Sequence, residues 1–279
     1  MIIDGKKIAE EIREKLTQKV KTFAISPVLA IVVAGENPVI ESFVRIKKKI
    51  GSALGVSVVE QRFPGSVNEK TLGDAVRKLG ADDGVMGIIV QLPLPEHIDA
   101  RTILDAVPVA KDVDMLSTTS VSSFRRGDAA ILPPVAGAIQ EILERNNVVI
   151  TGKDALVIGH GRLVGVPAEL FLRHNDSHVT VVGREVVRLS ELTKEADIII
   201  CGAGQPRLLR PEMLKHGVVV IDAGTSEQGG KIVGDADPRC AEVASVFTPV
   251  PGGVGPIAVA MIFKNLLVLA SAPVQKLQK

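Results

Sequence analysis

The sequence predicts an α/β protein with two domains built on parallel sheets. Two observations carry this. Short apolar runs alternate with segments of helical periodicity, the pattern of βα units around a parallel sheet. The pattern then restarts in the second half, where the buried-strand run Ala155-Leu156-Val157-Ile158 ends in Gly159-His160-Gly161. A glycine-rich turn between a strand and a helix is the context of a Rossmann-type dinucleotide-binding domain. The second domain is therefore expected to be of that type, with a cleft between the two.

The elements follow in order. Asp4 is suited to cap a first helix, in which Ile8, Ile12, Leu16 and Val20 recur every four residues as one apolar face. A strand is expected at Val28–Ala34. Asn37-Pro38 then supplies an N-cap and a proline at the first helical position. That helix should run to about Leu54 and stop at Gly55. Further strands are expected near Val56–Phe63 and Val85–Gln91. In the second half Val179–Val182, Ile198–Cys201 and Val218–Ile221 read as sister strands of the 155–158 run. The domain boundary is expected near the helix around Ala138–Arg145. This gives a first domain of residues 1–138 and a nucleotide domain of 139–255. A very apolar final helix from Pro256 to about Leu269 comes after the dinucleotide pattern is complete. Residues 256–279 are expected to return to the first domain.

Composition excludes several function classes. The 279 residues carry 33 basic and 32 acidic side chains, a net charge of +1, so no nucleic-acid or membrane partner is expected. Tryptophan and tyrosine are absent and aromatics make up 3%, which leaves no stacking platforms for single-stranded nucleic acid. Cys201 and Cys240 stand far apart and in no metal-ligand spacing, so they read as reduced thiols of a cytoplasmic protein, with no metal. The start MIIDGKKIAEEI lacks the apolar run of a secretion signal. No uncharged apolar stretch approaches the roughly 20 residues that span a bilayer.

The segment Gly159-His160-Gly161-Arg162-Leu163-Val164-Gly165 is a GxGxxxG variant. Glycines let the backbone approach a pyrophosphate, and the helix that follows offers free N–H groups to the anion. The bland alternative is a tight βα turn without a ligand. An acidic residue at the end of the next strand favours NAD, whereas a basic one can pair with the 2′-phosphate of NADP. Here Val179–Val182 runs into Gly183-Arg184-Glu185. Arg184 comes first, so NADP is expected, with NAD as the competing reading through Glu185.

Three consecutive lysines, Lys47, Lys48 and Lys49, look like a solvated basic face. Helical spacing separates them. Ile40, Phe43, Lys47, Ile50 and Leu54 share one face, so Lys47 alone lies on the apolar stripe. Desolvation there lowers a lysine's pKa and suits it to proton transfer near neutral pH. The alternative is a lysine that snorkels into water.

Three further segments add to this. They are Val90-Gln91-Leu92-Pro93-Leu94-Pro95, Lys111-Asp112-Val113-Asp114 and Thr248-Pro249-Val250-Pro251-Gly252-Gly253-Val254-Gly255-Pro256. With the cofactor loop they resemble, collinearly from about residue 1 to 270, the bifunctional methylenetetrahydrofolate dehydrogenase/methenyltetrahydrofolate cyclohydrolase family. The resemblance implies that Lys47 is the catalytic lysine, that Gln91 bonds and orients it, and that Asp114 holds the pterin. It implies that Phe43 packs on the folate in place of a tyrosine, and that Pro251, Gly252, Gly253 and Val254 line the substrate pocket. Gly159, His160, Gly161, Arg162, Leu163, Gly165, Arg184 and Thr225 are the implied dinucleotide contacts. It further implies a homodimer through the nucleotide domain, acting on tetrahydrofolate derivatives in one-carbon metabolism and purine biosynthesis.

The chain departs from the family at several places. Phe43 lacks the tyrosine hydroxyl, and Met115-Leu116-Ser117-Thr118 replaces a segment that begins with glycine. Leu132-Pro133-Pro134-Val135-Ala136, His160-Gly161 and Ile257-Ala258 also differ from the usual residues. Three readings stay open at this point. One is the bifunctional enzyme, one is a dehydrogenase with little cyclohydrolase activity, and one is a non-catalytic folate- or dinucleotide-binding homologue.

Overall fold

The computed structural model describes residues 1–183 and 185–271. Two compact units emerge. One comprises Ile12–Leu132 and the chain from Ile262; the other comprises Met1–Glu11 and Pro133–Met261.

The first helix, α1, is Gly5–Val20, and the Lys7 amide donates to Asp4 Oδ1 at 3.0 Å, so Asp4 is its cap. Strand β1 (Val28–Ala34) leads to α2 (Pro38–Leu54), where the Ile40 amide donates to Asn37 Oδ1 at 3.3 Å. Then come β2 (Ser57–Phe63), α3 (Glu69–Ala81), β3 (Gly87–Val90), α4 (Ala100–Asp105) and α5 (Thr118–Arg126). The strands form a parallel sheet in the order β2-β1-β3. Strand β1 is central and reads VLAIVVA, an unbroken apolar run, because both of its faces are covered. Strand β3 begins two residues later than its apolar run: Val85 closes the turn onto the Asp82 carbonyl, and Met86 donates to the Val28 carbonyl at 2.9 Å just ahead of the strand.

The other unit begins with α6 (Pro134–Arg145) and β4 (Asp154–Ile158). It continues through α7 (Gly165–His174), β5 (His178–Val182), α8 (Leu189–Glu195), β6 (Ile198–Cys201) and β7 (Val219–Asp222). An antiparallel hairpin, β8 (Ser226–Gln228) with β9 (Lys231–Val233), precedes the short β10 (Val246–Phe247). The parallel sheet has the order β10-β7-β6-β4-β5, a doubly wound arrangement whose order reverses between β4 and β6. The first residues of the chain extend it, since Ile2 bridges Phe247 and the Ile3 amide donates to the Phe247 carbonyl at 2.9 Å.

The final helix, α9, is Val254–Ser271, and its residues are shared between the two units at Met261 and Ile262. It corrects one expectation. With 18 residues and a mean hydropathy of 1.8, it is long and apolar enough to cross a membrane, Lys264 notwithstanding. Half of it is buried in the protein, and Phe263, Leu266 and Leu267 are fully enclosed, so its apolar composition serves a core.

Candidate active site

Helix α2 presents Ile40, Val44, Lys47, Ile50 and Leu54 to the interior, and Lys47 is only 7% exposed although Ile46 beside it is 43% exposed. The helical spacing predicts this stripe except at one place: Val44 is buried where Phe43 is expected, and Phe43 is half-buried at the stripe's edge. Burial lowers the Lys47 pKa, and the carboxylate of Asp114 works against that shift. Lys47 Nζ donates to Gln91 Oε1 at 2.9 Å. Gln91 follows β3 directly, and its Nε2 donates to the Leu92 carbonyl at 3.0 Å, which turns Oε1 toward the lysine. The ammonium also lies 5.9 Å from the centroid of the Phe43 ring, one turn earlier on α2.

Asp114 is placed by its neighbours. Asp112 pairs with Ile88 beside β3, and its buried carboxylate accepts the amides of Leu116 at 3.2 Å and Ser117 at 2.9 Å. The chain thus turns tightly around residues 113–115, and Met115 takes a left-handed φ of 57°. From α9, the buried Asn265 donates through Nδ2 to the carbonyls of Val113 at 2.9 Å and Leu132 at 2.8 Å. Burial pushes the Asp114 carboxyl up to about 6; Lys47 pulls it down and Asp112 pushes it further up. At neutral pH Asp114 is therefore a partly buried carboxylate near a desolvated lysine, able to accept two adjacent N–H donors. Asp112 and Asn265 were not singled out from the sequence. An asparagine inside the apolar run 262–270 was the available signal for the second.

A cavity of about 470 Å³ in the five-stranded unit is lined by Gly159, His160, Gly161, Gly183, Glu185, Gly202 and Ala203. It sits at the carboxyl ends of β4, β5 and β6, where the strand order reverses, the usual ligand position of a doubly wound sheet. Glycine is required here. Gly159 has φ 111°, and a Cβ on it would collide with the Gly202 carbonyl. A Cβ on Gly165 would collide with the Gly159 carbonyl, and one on Gly202 with Val164. Gly159 and Gly165 therefore meet backbone to backbone and Gly202 lies against Val164, so the loop, the β6 turn and the start of α7 approach closely around the cavity. That suits a pyrophosphate.

The structure brings Gly159, His160 and Gly161 together on this cavity. Arg162 and the half-exposed Leu163 follow on the same loop, and Gly165 opens α7. Thr225 is exposed after β7 and is not among the lining residues. Arg184 lies outside the described residues; Glu185, its competitor, lines the cavity. Pro251, Gly252, Gly253 and Val254 form the turn into α9 in the same unit. There the Gly5 amide donates to the Gly252 carbonyl at 2.9 Å, and the Gly253 amide to the Pro249 carbonyl at 2.8 Å. Phe43, Lys47, Gln91 and Asp114 belong to the three-stranded unit.

Comparison with known proteins agrees with this geometry. Residues 3–114 match the catalytic domain of tetrahydrofolate dehydrogenase/cyclohydrolase, and residues 133–274 match its NAD(P)-binding domain. The bifunctional protein FolD of Halothermothrix orenii is 39% identical over 271 residues, 95% of each chain. The crystal structure of the bifunctional FolD enzyme of Campylobacter jejuni superposes with a TM-score of 0.93 at 35% identity, covering 97% of this chain and 98% of that one. The Trypanosoma brucei enzyme, solved with NADP cofactor and an inhibitor, gives 0.91 at 33% identity over 96% of both chains. The chain belongs to the tetrahydrofolate dehydrogenase/cyclohydrolase family.

Proposed function

We propose that the protein oxidises methylenetetrahydrofolate to methenyltetrahydrofolate with NADP, and hydrolyses the product to formyltetrahydrofolate. The observation that carries this is the buried Lys47, hydrogen-bonded to Gln91 beside Phe43 and coupled to Asp114. Family membership and the NADP-bound relative support the cofactor.

In this reading residues 1–138 carry folate chemistry, 139–255 bind the dinucleotide, and 256–279 return to the first domain. Asp114 accepts pterin N–H groups, and Phe43 packs on the folate. Pro251, Gly252, Gly253 and Val254 line the substrate pocket. Gly159, His160, Gly161, Arg162, Leu163, Gly165, Arg184 and Thr225 hold the dinucleotide, with Arg184 assigned to the 2′-phosphate. When bound, the dinucleotide would supply the hydride acceptor for the methylene carbon. The resulting methenyl group is cationic and open to water. Lys47, its pKa lowered by desolvation, removes a proton as that water attacks the methenyl carbon, and Gln91 holds the amine in line. Ring opening completes the formyl product. A cationic substrate further favours the neutral lysine, since like charges repel. The family resemblance also supports a cytoplasmic homodimer through the nucleotide domain, which the molar mass in solution tests.

One observation favours a second reading, a dehydrogenase with weak hydrolysis. Phe43 offers Lys47 a ring and no hydroxyl. Turnover followed at the methenyl and NADPH absorbance bands separates the two. Lys47→Met should lose about 10²–10⁴-fold in methenyl hydrolysis while retaining hydride transfer. Undiminished hydrolysis by that variant would refute the assigned role.

A further inference from the structure

Two fully buried carboxylates lie behind the dinucleotide cavity, and the reaction uses neither. Asp235 and Asp222 are 0% and 1% exposed. A buried carboxylate is costly unless its oxygens are well hydrogen-bonded, and both are. Asp235 Oδ2 accepts the amides of Ala203 at 2.6 Å and Gly204 at 3.1 Å, and its Oδ1 accepts the amide of Gln205 at 2.8 Å. These three amides belong to the turn that leaves β6, whose first residues, Gly202 and Ala203, form one wall of the cavity.

Asp222, the last residue of β7, holds Asp235 in turn. Its Oδ1 accepts the amides of Gly224 at 2.9 Å and Asp235 at 3.2 Å, and its Oδ2 accepts the Ala236 amide at 2.8 Å. Its own amide donates to Thr248 Oγ1 at 2.7 Å. Space is made for both groups by missing side chains. A Cβ on Gly224 would run into the Asp235 carboxyl group, and one on Gly234 into Asp222 Oδ2.

We propose that Asp235 is a positioning residue for dinucleotide binding, holding the 203–205 turn as the cavity wall, and that Asp222 fixes Asp235 in that role. The inference rests on the assignment of the cavity to the dinucleotide. An apolar residue at 235 would leave three N–H groups without acceptors, and the turn would move to find water. The wall would then have to be ordered at the moment of binding, which weakens affinity rather than the chemical step.

NADPH fluorescence reads binding directly, since the chain has no tryptophan or tyrosine background. Asp235→Asn should raise the NADPH dissociation constant at least tenfold. Methenyl hydrolysis, whose proton-transfer groups Lys47 and Gln91 belong to the other unit, should keep its kcat. Leu214→Ala, a core change in the same unit, should lower the melting temperature without moving NADPH affinity. Hydrogen exchange on the ligand-free wild type should show the amides of 203–205 protected, and the protection should fall in Asp235→Asn, which leaves one acceptor oxygen for the three amides. If Asp235→Asn fails to fold, Gly224→Ala displaces the same carboxyl group and should weaken NADPH alike. Unprotected 203–205 amides in the wild type, a dissociation constant changed less than twofold, or equal loss of hydrolysis would each overturn the proposal. A wild type that does not bind NADPH would overturn it together with the cofactor assignment. Binding by the wild type and variant alike would overturn the positioning role alone.

Discussion

Lys47 shows how one residue acquires its chemistry from position. Lys48 and Lys49 share its composition and its helix, but both are exposed, and Lys48 pairs with Glu60 on the surface. Of the three, Lys47 alone falls at the buried phase of α2, and desolvation there lowers its pKa. Phe43 shares that face and sets the lysine's surroundings. Phe43→Tyr should keep the ring in place and add a hydroxyl within plausible reach of the amine, narrowing its rotamers. A net hydrogen bond of about 0.5–1.5 kcal/mol corresponds to roughly a two- to tenfold faster hydrolysis. Cyclohydrolase turnover and melting temperature of both proteins check this. A slower or clearly less stable variant would mean the lysine pocket is built around an apolar neighbour. Met115 shows the converse. Here the chain holds a left-handed φ of 57° at a residue that is not glycine and buries its side chain. The conformational strain is of order 1 kcal/mol, which burial of the side chain offsets.

At the scale of elements, legibility followed the range of the interactions. Helices α1 and α2 and strands β1 and β4–β7 announce themselves through caps, stripes and apolar runs, all local signals. The β8–β9 hairpin has none of these, being three residues a side that are polar or exposed apart from the half-buried Val233. The backbone clasps are harder still. Asp235 reaches amides about 30 residues away, and Asn265 reaches Val113 across 152 residues. A side chain bonding to distant backbone leaves no periodicity, and only its polarity within an apolar helix marks Asn265. That residue permits a test. Asn265→Leu keeps the volume and apolar character of α9 but leaves the carbonyls of Val113 and Leu132 without this donor. Each unsatisfied buried carbonyl costs about 1–3 kcal/mol, so a loss of a few kcal/mol is expected on denaturant unfolding. Folate affinity should fall as well, because Val113 adjoins Asp114. Unchanged stability and unchanged folate KM would show that the clasp holds nothing of consequence.

For the molecule as a whole, the buried carboxylates set how stability depends on pH. Asp237 is pulled down to about 2 by Arg239, and such groups stabilise the fold above the ordinary carboxylate range and lose that effect only in strong acid. Asp114 acts the other way. Its folded pKa of about 6 stands above the usual 3.8, so the folded protein holds a proton that the unfolded chain has released between about pH 4 and 6. The stability contributed by that proton is fully present below about pH 4 and lost as pH rises through 6. At pH 7.5 the ionised carboxylate therefore lies in its site at a net cost on the order of 3 kcal/mol at 1.4 kcal/mol per unit, its attraction to Lys47 already included. Asp114→Asn removes the charge, so a gain of up to about 3 kcal/mol is expected at pH 7.5. For a chain of this size that corresponds to a melting temperature higher by roughly 5 °C. At pH 4, where the wild-type carboxyl is already protonated, the two proteins should melt together. The same substitution should cripple folate binding, because an amide cannot accept two pterin N–H bonds as a carboxylate does. Differential scanning calorimetry across pH 4–8 measures the difference. A variant less stable than wild type at pH 7.5, or an equal offset at both ends, would show that Asp114 is not held at a cost. A gain that fades with acid, alongside lost folate affinity, would mean that the fold gives up stability at this position for the charge that binds substrate.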